Sequence, residues 1–166
     1  RTSLRQDIQS EMKKRGTHCQ CVRCREVRGK TVESKTLHID DLTYQAGTAE
    51  EHFISFVTPD DGLAGFMRLS LPVKDALLTG MSDLDNAALI REVHVYGQSL
   101  AVGDRKRQTG AAQHLGLGTR LLEEAEAIAR KNGFEKLAVI SAIGTRHYYL
   151  DRGFERGEYY LVKKIG

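Results

Sequence analysis

Gln113-His114-Leu115-Gly116-Leu117-Gly118-Thr119 joins a glycine-rich turn to a strongly amphipathic stretch. Glycines at such a junction remove the Cβ atoms that would hold a ligand off the backbone, and the first amides of a helix have no partners within it. Those amides and the positive end of the helix dipole suit an anion, and a diphosphate best. The ending is not the Gly-Lys-Ser/Thr of a P-loop, nor are there three glycines with a later ribose-binding acid. A tight helix entry without a ligand is the other reading of the same residues. A second reactive group is His18-Cys19-Gln20-Cys21-Val22-Arg23-Cys24, which holds all three cysteines of the chain. An odd number at so short a spacing is a poor disulfide framework and suits a metal or a reducing compartment. Zinc takes tetrahedral thiolate and imidazole ligands. Cys19, Cys21 and Cys24 would supply three, with His18 or a group from elsewhere as the fourth; clustered free thiols are the alternative. Third, Tyr148 and Tyr149 set two phenols about 100° apart around a helix, so one can face a cleft while the other packs.

These groups need a scaffold, and the hydrophobic pattern predicts one. The main helix spans residues 119–132, with Leu121, Leu122, Ala125, Ile128 and Ala129 on one face and Glu123, Glu124, Glu126, Arg130 and Lys131 on the other. Asn132-Gly133 stops it as a left-handed cap. Upstream, residues 4–15 predict a polar helix carrying Leu4, Ile8 and Met12. Residues 35–42 alternate as a strand with Leu37 and Ile39 on one face, and 44–49 form a polar link. Residues 52–57 and 63–71 are strands joined through Pro59-Asp60-Asp61-Gly62, a sequence with good turn chemistry. Residues 75–86 read as a loop, 88–96 as the central strand, and 98–112 as a polar loop carrying Arg105, Lys106 and Arg107. A strand at 136–141, a short helix at 144–151 and a closing strand at 159–164 follow. The whole is an α/β (α+β) arrangement: a mixed sheet whose main helix crosses between neighbouring strands. The glycine turn then falls at the C-terminal end of the central strand, where open sheets bind ligands.

Composition narrows the classes. The chain has 166 residues, 40% hydrophobic and 28% charged, which is the balance of a soluble globular protein. No apolar run approaches the roughly 20 residues of a membrane span, and no signal peptide opens the chain, so a cytoplasmic location without membrane contact is expected. Arg1 rather than Met comes first, which predicts a piece of a longer protein. Residues 1–30 hold nine Lys/Arg against three acids, a net of +6, so the rest carries −3 of the overall +3. A basic arm on an acidic body suits an anionic partner such as RNA; a solvated connector helix suits the charge equally.

Gln113-x-x-Gly116-x-Gly118 resembles the pyrophosphate-binding pattern of the Gcn5-related N-acetyltransferases, the GNAT family. Residues 140–154, with a strand end, a gap and a short helix ending in Gly153-Phe154, resemble the segment that follows in that family. Glu92-Val93-His94-Val95-Tyr96-Gly97, residues 121–130 and residues 138–149 are similar, more narrowly, to the C-terminal acetyltransferase domain of the Elongator catalytic subunit family in its prokaryotic single-protein form. Residues 4–28 resemble that family's cysteine-rich linker. The resemblance implies a GNAT domain over 35–166 that binds acetyl-CoA, preceded by a basic linker over 1–34 with a zinc site. It implies that the backbone of Glu92, Val93, His94 and Val95 pairs with the pantetheine arm like an added strand. Gln113, Gly116, Leu117, Gly118 and Thr119 would cradle the pyrophosphate. Tyr149, with Tyr148, would lie near the thioester and protonate the departing thiolate; Glu92 and His94 would act on a water or the acetyl group. Plain alternation between core and cleft accounts for those strand side chains equally well. The implied function is tRNA-stimulated cleavage of acetyl-CoA, serving installation of a carboxymethyl-type group at C5 of the wobble uridine, U34. The implied partners are the tRNA anticodon stem-loop and the protein's own radical-SAM domain. SAM and a 4Fe–4S cluster would belong to that other part, because no CxxxCxxC motif occurs in this chain; a homodimer is left open. The alternatives are a protein lysine Nε-acetyltransferase and a non-catalytic module that binds RNA and senses acetyl-CoA.

Overall fold

A computed structural model describes residues 3–27, 32–73, 80–96 and 116–166. Seven strands form one sheet in the order β1-β2-β3-β4-β5-β7-β6. The first four, β1 (His38–Ala46), β2 (Ala49–Val57), β3 (Leu63–Pro72) and β4 (Ala87–Val95), make an antiparallel meander. Helix α3 (Leu117–Lys131) then crosses over, and β5 (Lys136–Val139) lies parallel to β4. Helix α4 (Arg146–Leu150) leads to the short β6 (Glu155–Arg156) and to β7 (Leu161–Lys164), both antiparallel. The mixed sheet, the crossover helix and the glycine turn beyond the central strand all match the sequence reading.

The apolar stripe of α3 explains the crossover. Leu117, Leu121, Leu122, Ala125 and Ala129 are all buried, spaced so that one face meets the sheet. They pack with Ile54, Phe56, Met67, Leu69, Ala88 and Ile90 in the main core. Asn132 caps the helix, Gly133 takes φ +78°, and the Phe134 amide donates to the Ala129 carbonyl at 3.0 Å, a left-handed termination. At its other end α3 begins at Leu117 rather than 119. Gly116, at φ +66°, turns the chain sharply enough to drive Leu117 into the core at 0% exposure. Gly118 therefore belongs to the first helical turn.

The expected strand 35–42 and link 44–49 are redrawn. The strand runs His38–Ala46 after a turn of 3-10 helix at Ser34–Thr36, and the link shrinks to Gly47 and Thr48. Every residue of β1 is exposed, so hydrophobic alternation carries little information there; pairing of Thr43 with His52 and Tyr44 with Glu51 sets its length. Helix α1 (Leu4–Lys14) and the one-turn α2 (Val22–Arg25) precede the sheet. Arg25 pairs with Asp61 at 2.8 Å, the Val27 amide donates to the Leu63 carbonyl at 3.2 Å, and Val27 and Val32 are buried in the main core. The cysteine segment is thereby held against the β2–β3 turn.

Candidate active site

Strand β4 changes face partway along. Leu69 faces Ile90 and Arg68 faces Glu92, which leaves Arg91 without a partner on β3. Such a bulge reverses the side-chain alternation beyond it. Ala88 and Ile90 sit in the core before the bulge, and Val93 and Val95 pack against that same core after it. Pairing of β4 with β5 ends at Ile90 opposite Val139. Beyond that point β4 keeps β3 on one side, but on its β5 side no described strand follows it, so its backbone from Arg91 to Val95 offers an open edge there.

The split opens a cleft of about 380 Å³ floored by Val93 and Val95, with Gly116, Gly118 and Thr119 at the mouth of α3 and Thr145, Tyr148, Tyr149 and Arg152 opposite. The amides of Leu117, Gly118 and Thr119 precede the first internal bond of the helix, which runs from Arg120 to the Gly116 carbonyl at 3.1 Å. A Cβ on Gly118 would stand 2.4 Å from the Tyr148 hydroxyl. That hydroxyl is buried and has no hydrogen-bond partner among the described residues. Burial pushes the Tyr148 phenol above its ordinary pKa, partly offset by the Arg152 charge and by the nearby Thr119 hydroxyl, which falls short of a hydrogen bond by geometry. Arg152 lies over the Tyr148 ring at 3.8 Å, donates to Thr119 Oγ1 at 3.0 Å and to the Tyr148 carbonyl at 2.7 Å. One guanidinium thus fixes both α4 and the first turn of α3.

Of the two adjacent tyrosines, Tyr149 is the packed one. It is 8% exposed and meets Tyr148 and Phe154 edge-on, at 5.1 and 5.4 Å between centroids. Burial first, and then a Tyr148 charge, raise its pKa as well. Glu92 and His94 lie on the face of β4 opposite Val93 and Val95. His94 Nε2 stands 3.0 Å from Glu92 Oε1, and its ring stacks on Phe66 at 5.2 Å. Their side chains point away from the cleft while their backbone remains on its open edge. Gln113 and the loop 98–112 lie outside the described residues. The sequence reading missed Arg152, although its place four residues after Tyr148 on one helix was a usable signal. It also missed Arg91, for which no local pattern marks the bulge.

The cysteine segment forms a separate hollow of about 420 Å³ under α1. The Sγ atoms of Cys19, Cys21 and Cys24 all lie within 4.8 Å of one another, close enough for three corners of a tetrahedral thiolate site. His18 lines the hollow but stands outside the thiol group, with Nε2 2.6 Å from Gln20 Nε2. From α1, Arg5 and Gln9 donate to Cys24 Sγ at 3.1 and 3.6 Å. The Cys19 thiol above all, then the Cys24 amide, lower the Cys21 thiol to about 7. Cys19 moves upward: the Cys21 amide lowers it, but thiol contacts with Cys21 and Cys24 and burial outweigh that.

A split central strand pair with a glycine-mouthed helix at the gap matches known proteins in sequence and shape. Residues 22–154 match the model of the acetyltransferase (GNAT) family. The chain is 37% identical to tRNA uridine(34) acetyltransferase of Dehalococcoides mccartyi, over 98% of this chain and 36% of that protein. It is 39% identical to Elongator complex protein 3 of Dictyostelium discoideum, over 99% of this chain and 30% of that protein. The solved archaeal Methanocaldococcus infernus Elp3, lacking its N-terminal residues 1–46, superposes with a TM-score of 0.78 at 32% identity, covering 96% of this chain and 38% of that one. The chain spans about a third of the length of these relatives. It belongs to the acetyltransferase (GNAT) family, as a domain homologous to part of Elp3 and of tRNA uridine(34) acetyltransferase.

Proposed function

We propose that this chain is the acetyl-CoA-cleaving domain of an enzyme that modifies C5 of the wobble uridine in tRNA. The observation that carries the cofactor half is the orphaned, buried Tyr148 hydroxyl against Gly118, at a helix mouth with unspent amides. Acetyl-CoA supplies an activated acetyl thioester when bound. The amides of Leu117, Gly118 and Thr119 would hold its diphosphate, and the open edge of Glu92–Val95 would take its amide arm as an added strand. Tyr148 would keep a proton available for a departing thiolate, since its raised pKa leaves the phenol neutral at working pH. Tyr149 backs it by packing. Glu92 and His94 contribute their main chain.

The tRNA half rests on the relatives' names and on the basic N-terminal arm. No carboxylate or imidazole is among the described residues that line the cleft, so none of those residues is a base for the ammonium that amine acetylation would need deprotonated. SAM chemistry and its iron–sulfur cluster would belong to a radical-SAM domain outside this chain. Zinc would occupy the thiol hollow through Cys19, Cys21 and Cys24, with His18 turned inward or an outside group completing it. Metal analysis of the full-length protein that finds no zinc removes this part.

The decisive measurement is acetyl-CoA turnover by the full-length protein with and without tRNA. Stimulation by tRNA, abolished in Gly118→Glu together with CoA binding, is expected. Equal rates with and without tRNA would overturn the RNA reading, and unaltered CoA binding by Gly118→Glu would overturn the cofactor site.

A further inference from the structure

Almost every described arginine is committed. Arg15, Arg25, Arg68 and Arg91 pair with carboxylates. Arg5 holds a thiol, Arg130 a carbonyl, Arg152 Thr119, Arg120 lies on the Phe56 ring, and Arg23 is engaged as well. Among the described residues only Arg146 and Arg156 have guanidiniums without a partner, and both line the same hollow of about 210 Å³. Ser141, just past β5, and the turn 157–160 between β6 and β7 form its walls. Tyr159, 63% exposed, stands at its rim. The lining is mostly polar, and its one carboxylate, on Glu158, pairs with neither arginine among the described residues.

The hollow is also firmly built. Buried Asp83 reaches across from the segment before β4 and accepts from the Tyr159 and Tyr160 amides at 2.8 and 3.0 Å. A Cβ on Gly157 would fall 2.1 Å from that carboxylate, so the turn is seated closely on it. On the opposite wall, the 3-10 turn Ile143–Thr145 divides the hollow from the cofactor cleft: Thr145 lines the cleft and Arg146 the hollow. Two free guanidiniums in a rigid polar recess match phosphate oxygens in charge and in bidentate geometry. An exposed tyrosine beside them offers a stacking face for an unpaired base.

We infer that Arg146 and Arg156 form a clamp for the RNA phosphodiester backbone, seating the nucleic-acid substrate next to the cofactor cleft. This rests on the tRNA reading above and adds to it the surface that would hold the RNA. The clamp neutralises two backbone phosphates, and each neutralised phosphate releases counterions and steepens the salt dependence of binding.

The test uses the full-length protein with a tRNA anticodon stem-loop, titrated by fluorescence anisotropy across a series of salt concentrations. For the double variant Arg146→Gln/Arg156→Gln, the slope of log K against log salt should flatten by about 2, with affinity falling roughly tenfold near physiological salt. Acetyl-CoA affinity and Tm should not change. The charge-preserving pair Arg146→Lys/Arg156→Lys should keep the parent's slope, which separates a charge clamp from a packing defect. An unchanged slope and affinity in the glutamine variant, with a parent that binds RNA, overturns the clamp alone. A parent that binds no RNA overturns both the clamp and the tRNA reading. Displacement of inorganic phosphate without any effect on RNA binding would mark a free-anion site and likewise overturn the proposal.

Discussion

At the scale of single residues, the two adjacent tyrosines divide their labour by burial. Tyr149 is buried and meets Tyr148 and Phe154 edge-on, whereas Tyr148 carries a buried hydroxyl with no partner among the described residues. A buried polar group left unpaired costs about 1–3 kcal/mol. Tolerating that cost at the mouth of α3 makes sense if the hydroxyl meets a ligand there. Tyr148→Phe should therefore melt at the same temperature as the parent or higher, while thioester cleavage falls about a hundredfold, as loss of a general acid does. Tyr149→Phe should change neither quantity. Turnover retained in Tyr148→Phe would show that its hydroxyl handles no proton, whatever its surroundings. The raised phenol pKa adds a check on sign: the group stays protonated up to and beyond pH ~10, its ordinary value. A basic limb in the rate profile below that point must then come from another group.

At the scale of elements, the cleft exists because β4 carries one extra residue. Without the bulge at Arg91, alternation would send Glu92 and His94 toward α3 and Val93 and Val95 outward, since a one-residue slip exchanges the faces. Glu51 is placed to hold the bulge. Its Oε1 accepts from Arg91 Nη1 at 3.1 Å and from Ser70 Oγ at 2.8 Å, and its Oε2 is buried without a partner among the described residues. Removing the acid also removes its unpaired buried oxygen, and the Arg91 side chain, 45% exposed, stays hydrated without it, so Glu51→Leu should keep its Tm within a few degrees. Release of the bulge should nonetheless raise the KM for acetyl-CoA about tenfold, roughly 1.4 kcal/mol, and speed hydrogen exchange at the amides of residues 92–95. A lowered Tm with an unaltered KM would reduce Glu51 to a structural role. The same contrast explains what the sequence made legible. The stripe of α3, the Asn132-Gly133 stop and the two glycines at its mouth are local signals, and they located the helix and the cleft. The bulge is set by pairing across three strands, and nothing in the run from Ala87 to Val95 marks it. Glu92 and His94 therefore read as cleft side chains although they point away. β1 blurred for a related reason: an edge strand exposed on both faces has no hydrophobic period to read.

At the scale of the whole molecule, the sheet is closed by a contact between residues 76 positions apart. Asp83 lies before β4, and its carboxylate accepts the amides of the turn before β7. It ties the far edge of the sheet, and with it one wall of the arginine hollow, to the central strand. Lys136 strengthens the junction by donating to the Ser82 carbonyl at 2.8 Å. The Tyr159 amide, opposed by burial and joined by the Tyr160 and Glu158 amides and the Lys136 charge, holds the Asp83 pKa below the ordinary value. A depressed carboxylate stabilises the fold above the unfolded value, about 4, and that stabilisation disappears as the pH falls through the lower folded value. Asp83→Asn should therefore cost roughly 1–2 kcal/mol at neutral pH, from weaker hydrogen bonds to an uncharged acceptor. The difference from the parent should shrink steadily below pH ~4, where the parent's carboxylate also takes up its proton. Urea midpoints of parent and variant, measured from neutral pH down to about pH 3, give the curve directly. A gap that stays constant through the acid range would mean that the carboxylate closes the sheet by shape alone, and that its charge contributes nothing to the junction.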